Sequence, residues 1–496
     1  MFRYPGIILI CLMCSAVSAQ TYTYDVLQFG AVGDSNTMNT RAIQAAIDKC
    51  SLTGGKVLVP KGVFITGTLY LKSNVELHIE EGGKLLGSPS FQDYPDNEVT
   101  YKTIFTHRPD GSSRTNKALL FAEDVHDISL TGNGTIDGNG KSPAFALGDD
   151  GASAISATRP CMILFINCKK VELDDLHLAN SAYWMENYLG CDGLQLKRLN
   201  IYNHANWNND GMDIDARNVL VEDCVLDVDD DGICMKSHEK AHLVENVVIR
   251  NCKISSNCNA VKFGTSSIGG ARNILITGCN ITQASEDNFR HWQQTLQFIG
   301  KPITAVSGIA LEAVDGAILD HITVSNIDMR DVQTPIFIVL GNRGRRAIGD
   351  TAGRIGQIKN ILLKNIVATS HSKMSSSITG FPGHYIENIT LENVHLNDPG
   401  GGTREEASRP LPENEKAYPE NRMYGQAYPA NGLYIRHARN VILKSLILTL
   451  RDEDFRPALI LDDVRGAKII KLDASRLADN GPLVKLIKSR QVFQRS

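Results

Sequence analysis

The chain has 496 residues, 42% hydrophobic and 21% charged, enough to build a large buried core and too apolar for a disordered chain. Fifty-one Lys and Arg stand against 55 Asp and Glu, a formal charge of -4. This lacks the basic excess of nucleic-acid binders, so nucleic acid is not an expected partner.

At the start, Arg3 precedes the apolar stretch 7–13, and Val17-Ser18-Ala19 suits signal peptidase cleavage before Gln20. Residues 1–19 therefore read as a secretory signal, and 20–496 as a single secreted or periplasmic domain. An apolar run this short does not span a bilayer, and no second run of membrane length follows. Within 40–50, Ala42, Ile43, Ala46 and Ile47 recur at helical spacing. This predicts a short helix that caps the first edge of a strand-built body.

From residue 120 onward one pattern recurs, a polar or glycine residue followed by alternating apolar positions. Its clearest copies begin at Asn218, Asn246, Asn273, Asn360, Asn388 and Asn440, and weaker ones at Asp127, Lys170, Gly193, Gly316 and Gly466. The best-matched pairs lie 27 or 28 residues apart. Short strands rich in Val, Ile and Leu at that period predict a solenoid in which each coil buries its face on the next. The predicted fold is all-β, a right-handed parallel β-helix. Cys224, Cys252 and Cys279 each follow a repeat Asn by six residues and are expected to stack as buried thiols.

Three excursions interrupt the repeat, near 139–160, 286–304 and 397–432. The last is rich in Gly, Pro and Glu. Such insertions either carry substrate contacts along a cleft or merely cover the sheet.

The densest acidic stretch is 208–238. Asp210 precedes Asp230 and Asp231 by 20 and 21 residues, close to one coil, which places them on neighbouring strands about 4.8 Å apart. Crowded carboxylates raise one another's pKa, so one holds a proton as acid while another serves as base. Glycosidic hydrolysis needs that division. The competing reading is structural, because Asp, Asn and Asp-Gly pairs are common at turns. Trp184, Tyr188, Trp207 and Trp292 are candidate sugar-stacking faces or core residues. No phosphate loop, zinc-ligand helix or nucleophile elbow occurs, so no cofactor or metal is expected.

The segments FGAVGDSNTMNTRAIQAAIDKC, GGKVLVPKGVFITGTLYLKSNVELHIEEGGKLLGS and GNGTIDGNG, with Asn208-Asn209-Asp210-Gly211 and Asp230-Asp231-Gly232, resemble the pectin-degrading family 28 glycoside hydrolases. The resemblance extends from about residue 24 to about 470 and implies hydrolysis of galacturonan or rhamnogalacturonan with inversion. It implies Asp230 as general acid, with Asp210 and Asp231 holding and deprotonating the attacking water; Asp229 leaves that assignment open by one position. Two adjacent catalytic aspartates on a strand require a bend, which Gly232 would permit. An inverting pair is expected roughly 6.5–9.5 Å apart.

The chain departs from the family where Gly-His-Gly becomes Cys258-Asn259-Ala260, and where the substrate-binding Arg-Ile-Lys segment has no clear copy. Candidate contacts to an acidic poly- or oligosaccharide are Asn208, Lys236, His238, Asn259, Lys262, Arg290, His291 and Arg343, with Arg345 and Arg346 beside them. Two rivals remain: a lyase on the same fold using a Lys or Arg as base, and a noncatalytic glycan-binding β-helix.

Overall fold

The computed structural model describes residues 22–108, 116–145, 159–287, 303–475 and 477–495. The expected signal segment, Arg290, His291, Trp292 and parts of the first two excursions lie outside these residues.

Among the described residues, thirty-three strands form one continuously hydrogen-bonded sheet system, and every pairing between these strands is parallel. Each strand pairs with the equivalent strand of the next coil, the arrangement of a parallel β-helix. One hydrophobic core runs from Val26 to Ile469. Helix α1, Thr40–Ser51, covers the first coil with Ile43, Ala46, Ile47 and Cys50, as its apolar spacing predicts.

The repeat asparagines have a conformational cause. Asn218, Asn246, Asn273, Asn360, Asn388 and Asn440 all take φ between +54° and +58°, the left-handed region that Asn tolerates better than most residues. Their amides form ladders: Asn246 donates to Asn218 at 3.0 Å and Asn273 to Asn246 at 3.2 Å. Asn388 donates to Asn360 at 2.8 Å and Asn440 to Asn388 at 3.1 Å. Asp127, Lys170, Gly193 and Gly466 occupy the same corner, also at positive φ. The copy expected at Gly316 starts instead at His321, whose φ is +54° and whose neighbour Ile322 pairs with Ile274.

Because a single left-handed residue turns the corner without breaking the ladder, short predicted strands merge into long ones, such as Ile318–Val332 and Leu433–Leu450. Cys224, Cys252 and Cys279 are buried immediately before the paired residues Val225, Lys253 and Asn280, so they stack. All nine cysteines among the described residues are free. No helix among these residues is long and apolar enough to cross a membrane.

Candidate active site

Strands Met212–Glu222, Ile233–Ser237 and Asn259–Ser267 lie side by side, with Met212 opposite Ile233 and Ile233 opposite Val261. Asp210, Asp231 and Asn259 each stand two residues before these partners and so share one corner on three successive coils. Gly211 N donates to Asp231 O at 2.9 Å, and Gly232 N to Asn259 O at 2.9 Å. Gly232 is not there to bend the chain, since its φ is not positive. A Cβ on Gly232 would lie 2.5 Å from Ala260 O and 2.6 Å from Ile254 Cγ2, so the residue is small to let coils stack. The left-handed turn falls at Asn208, φ +56°.

A cavity of about 360 Å³ opens over this corner, lined by Trp184, Trp207, Asp210, Asp230, Asp231 and Lys236, with Asn208, Asn259 and Lys262 beside them. Asp229 points elsewhere: it is buried, and its Oδ1 accepts from Asn257 Nδ2 at 3.1 Å. Of the aspartates expected from the sequence, Asp210, Asp230 and Asp231 therefore face the cavity. Tyr188 belongs to the core and not to a sugar platform, donating to Glu186 at 2.5 Å.

Lysines divide the carboxylates electrostatically. Lys262 Nζ lies 3.1 Å from Asp231 Oδ2, and Asn259 Nδ2 donates to Asp231 Oδ1 at 2.8 Å. Burial raises the Asp231 pKa, but Lys262, Lys236 and the Asn259 hydrogen bond outweigh it and hold the group below its ordinary value. Asp210 goes the other way: burial, then the charges of Asp213 and Asp230, push it well above the usual carboxylate range. Lys236 Nζ sits 2.8 Å from Asp213 and 3.4 Å from Asp210. Burial disfavours the charge of both lysines, yet Asp213 and Asp210 beside Lys236, and Asp231 and Glu312 beside Lys262, keep their pKa values well raised.

Two acidic residues outside the sequence-derived set complete this network. Asp213 is pushed up to about 6, chiefly by burial, and Glu312, 4.0 Å from Lys262, up to about 8, again by burial. Their signal in the sequence is a charge inside an otherwise apolar strand, as Glu312 is in Ser307–Ala313. Asp230, Asp231 and Cys258 bring one metal-ligating atom each within 4.8 Å of one another. A cation there would meet the Lys262 ammonium, which already compensates Asp231.

A second hollow of about 610 Å³ shares Trp184 and Lys236 and adds Phe105, His238, Arg345 and Arg346. His238 Nδ1 is 2.9 Å from Ser266 Oγ, and its backbone N donates to Asp215 at 3.2 Å. Arg343 lines neither hollow. Its guanidinium is committed to Asp315, with Nε donating at 3.0 Å, and to Thr265 O at 2.6 Å.

The floor is walled along the sheet. One line of outward-facing positions runs Leu164, Asn187, Asp213, Cys234, Lys262, Ala310, Phe337. Val99, Tyr101 and Phe105 pack over the Leu164 end, and Met423 over Ala310 and Phe337. The 397–432 excursion is thus a cleft wall, and its Tyr418 and Glu420 line the cavity. Between the walls, Asp213 to Lys262 spans two strand spacings, about 10 Å.

Residues 53–282 match Glycosyl hydrolases family 28. An exo-poly-alpha-D-galacturonosidase of Dickeya chrysanthemi is 28% identical over 303 residues, covering 52% of this chain and 50% of that enzyme. A Vitis vinifera protein named "Probable polygalacturonase" is 25% identical over 408 residues, 79% of this chain and 77% of that one. Over residues 53–282 the chain is thus similar to glycosyl hydrolase family 28. It spans half the length of the Dickeya enzyme and about three quarters of the Vitis protein. Among solved structures, the family 28 exopolygalacturonase of Yersinia enterocolitica shares the fold of this chain, with TM-score 0.63 and 19% identity. That likeness covers 91% of this chain and 79% of that one.

Proposed function

We propose that this chain is a family 28 member and an exported glycoside hydrolase that cleaves sugar units from the ends of pectin-type, uronate-containing chains. The observation that carries this reading is the split among carboxylates on one cavity. Asp231 is held ionised by Lys262 and Asn259, while Asp210 is driven toward its protonated form. In the mechanism proposed, Asp231 deprotonates the attacking water, Asp230 protonates the leaving oxygen, and Asp210, driven toward its protonated form, is a hydrogen-bond donor beside them. Chain-end action is supported by side chains packed at both ends of the floor, Phe105 over the Leu164 end and Met423 over Ala310 and Phe337. Lys236, Arg345 and Arg346 supply positive charge for a uronate. The Dickeya relative's name, a galacturonosidase, agrees with this substrate class.

The lyase rival loses support at its base. Lys236 and Lys262 are both held protonated by carboxylates, the wrong state for proton abstraction. Inversion is the stereochemistry proposed, with Asp230 as acid and Asp231 as base.

One experiment separates these readings. The purified chain is incubated with polygalacturonate and rhamnogalacturonan while reducing ends, viscosity, ultraviolet absorbance and the first-formed anomer by proton NMR are followed. Reducing ends rising well ahead of any viscosity loss, without absorbance, are expected of a chain-end hydrolase. An early viscosity collapse would refute chain-end action, absorbance would indicate a lyase, and silence on every substrate would reject the proposal.

A further inference from the structure

Beyond the wall formed by 397–432, the same line of outward-facing positions continues from Phe337 through Ser377, Tyr434 and Ile460 to Lys485. A groove of about 680 Å³ opens there, on the far side of the wall from the catalytic cavity. Phe337 to Lys485 covers four strand spacings, about 19 Å.

The groove is cationic on a chain whose net charge is -4. Its three acids are engaged internally. Asp462 accepts from Tyr434 at 2.9 Å, Asp463 accepts from Tyr385 at 2.7 Å, and Glu413 lies 3.5 Å from Arg436. Among the described residues, its cations Arg409, Lys485, Lys488 and Arg490 have no carboxylate within 4 Å.

Arginine is also repeated in register. Arg439 pairs with Arg465, and Arg465 with Arg490, so three guanidinium side chains leave successive coils at about the 4.8 Å strand spacing. Like charges directly opposite one another destabilise a sheet. Arg439 is relieved by Glu387 at 3.2 Å, and Arg465 partly by Asp463 at 3.8 Å; Arg490 has no such relief. Of these three, Arg465 and Arg490 line the groove, and cations at coil spacing suit a ligand whose negative charges also repeat along its length.

We propose that this groove is a second, noncatalytic binding site for a carboxylate-bearing polysaccharide. It holds a distant stretch of the polymer while a chain end occupies the catalytic cavity, raising the local concentration of ends. That the sugar is pectic rests on the proposed hydrolase function; the cationic groove does not.

The test uses the full chain with Arg409→Gln, Lys488→Gln and Arg490→Gln together. All three side chains are exposed, and none lines the catalytic cavity. Binding to sodium polygalacturonate is measured in an Asp231→Asn background, so that nothing is consumed, and trisaccharide hydrolysis is measured in the active background. The expected result is polymer binding at least tenfold weaker, with trisaccharide kcat/KM within twofold of native. Polymer binding unchanged by the three substitutions overturns the proposal, as does duplex DNA bound equally well through the same cations. If the active chain hydrolyses nothing, yet polymer binding still depends on the three cations, the catalytic reading fails and the groove's role stands. If hydrolysis proceeds while binding ignores the three cations, the groove's role fails and the catalytic reading stands.

Discussion

Lys262 Nζ stands 3.1 Å from Asp231 Oδ2, and both groups are almost wholly buried, at 4% exposure each. With Asn259 on the other carboxylate oxygen, Asp231 is fixed in its charged form by two neighbours from the next coil. Replacing Asp231 with Asn is expected to lower kcat at least about a thousandfold with an unchanged circular dichroism spectrum. Lys262→Met and Asn259→Ala each remove a cause of the low Asp231 pKa. The acid limb of kcat/KM is expected to move upward, by roughly one unit or more for Lys262→Met and less for Asn259→Ala. A pH profile superimposable on native would reject the base assignment.

The acid role proposed for Asp230 makes a second prediction. Asp230→Asn should lose most activity on natural glycosides but recover much of it on a substrate whose leaving group needs no protonation. Asp210→Asn should not be rescued in this way. Rescue of the Asp210 variant alone would transfer the acid role to Asp210.

Stability should fall as pH rises. Glu186 is fully buried, with one oxygen unpartnered, and burial pushes it up to about 8. A carboxyl whose folded pKa is raised contributes stability that is complete below its unfolded value, near 4.5, and is lost as pH climbs through about 8. Asp215 and Glu312, both raised to about 8, act in the same direction. Native Tm is therefore expected to be highest near pH 5 and to decline toward pH 9. Glu186→Gln should flatten this decline, gaining roughly 2 kcal/mol over native at pH 9 and nothing near pH 5. Parallel curves for the two proteins would show that Glu186 does not titrate in that range.

Gly232→Ala tests the stacking role of that residue. A methyl group 2.5 Å from Ala260 O cannot be accommodated without separating two coils at the catalytic corner. The expected cost is about 2–4 kcal/mol in denaturant unfolding, together with loss of activity. A variant as stable as native would show that the coils can part there without penalty.

Much of the fold was legible because the corner residue imposes its requirement coil after coil. Asn218, Asn246 and Asn273 signal the period, since each must reach the left-handed region. The His321 coil escapes that signal because a histidine meets the same backbone need without the asparagine signature. At the site, the spacing of Asp210 and Asp231 was enough to bring them together, as one coil separates them. Asp213 and Glu312 were less visible, because their importance comes from burial beside Lys236 and Lys262, a product of tertiary packing. Arg343 shows the converse: its charge is plain in the sequence, while its commitment to Asp315 depends on how two distant segments meet.

The walls at Phe105 and Met423 also govern traffic. For an enzyme that trims chain ends, a floor closed at both ends forces substrate to enter and product to leave through the same opening. The shortened polymer has no path along which to slide forward over the sugar just released. Under the chain-end reading it must draw back for the product to escape and then dock again, so the liberated sugar competes with fresh ends for the door.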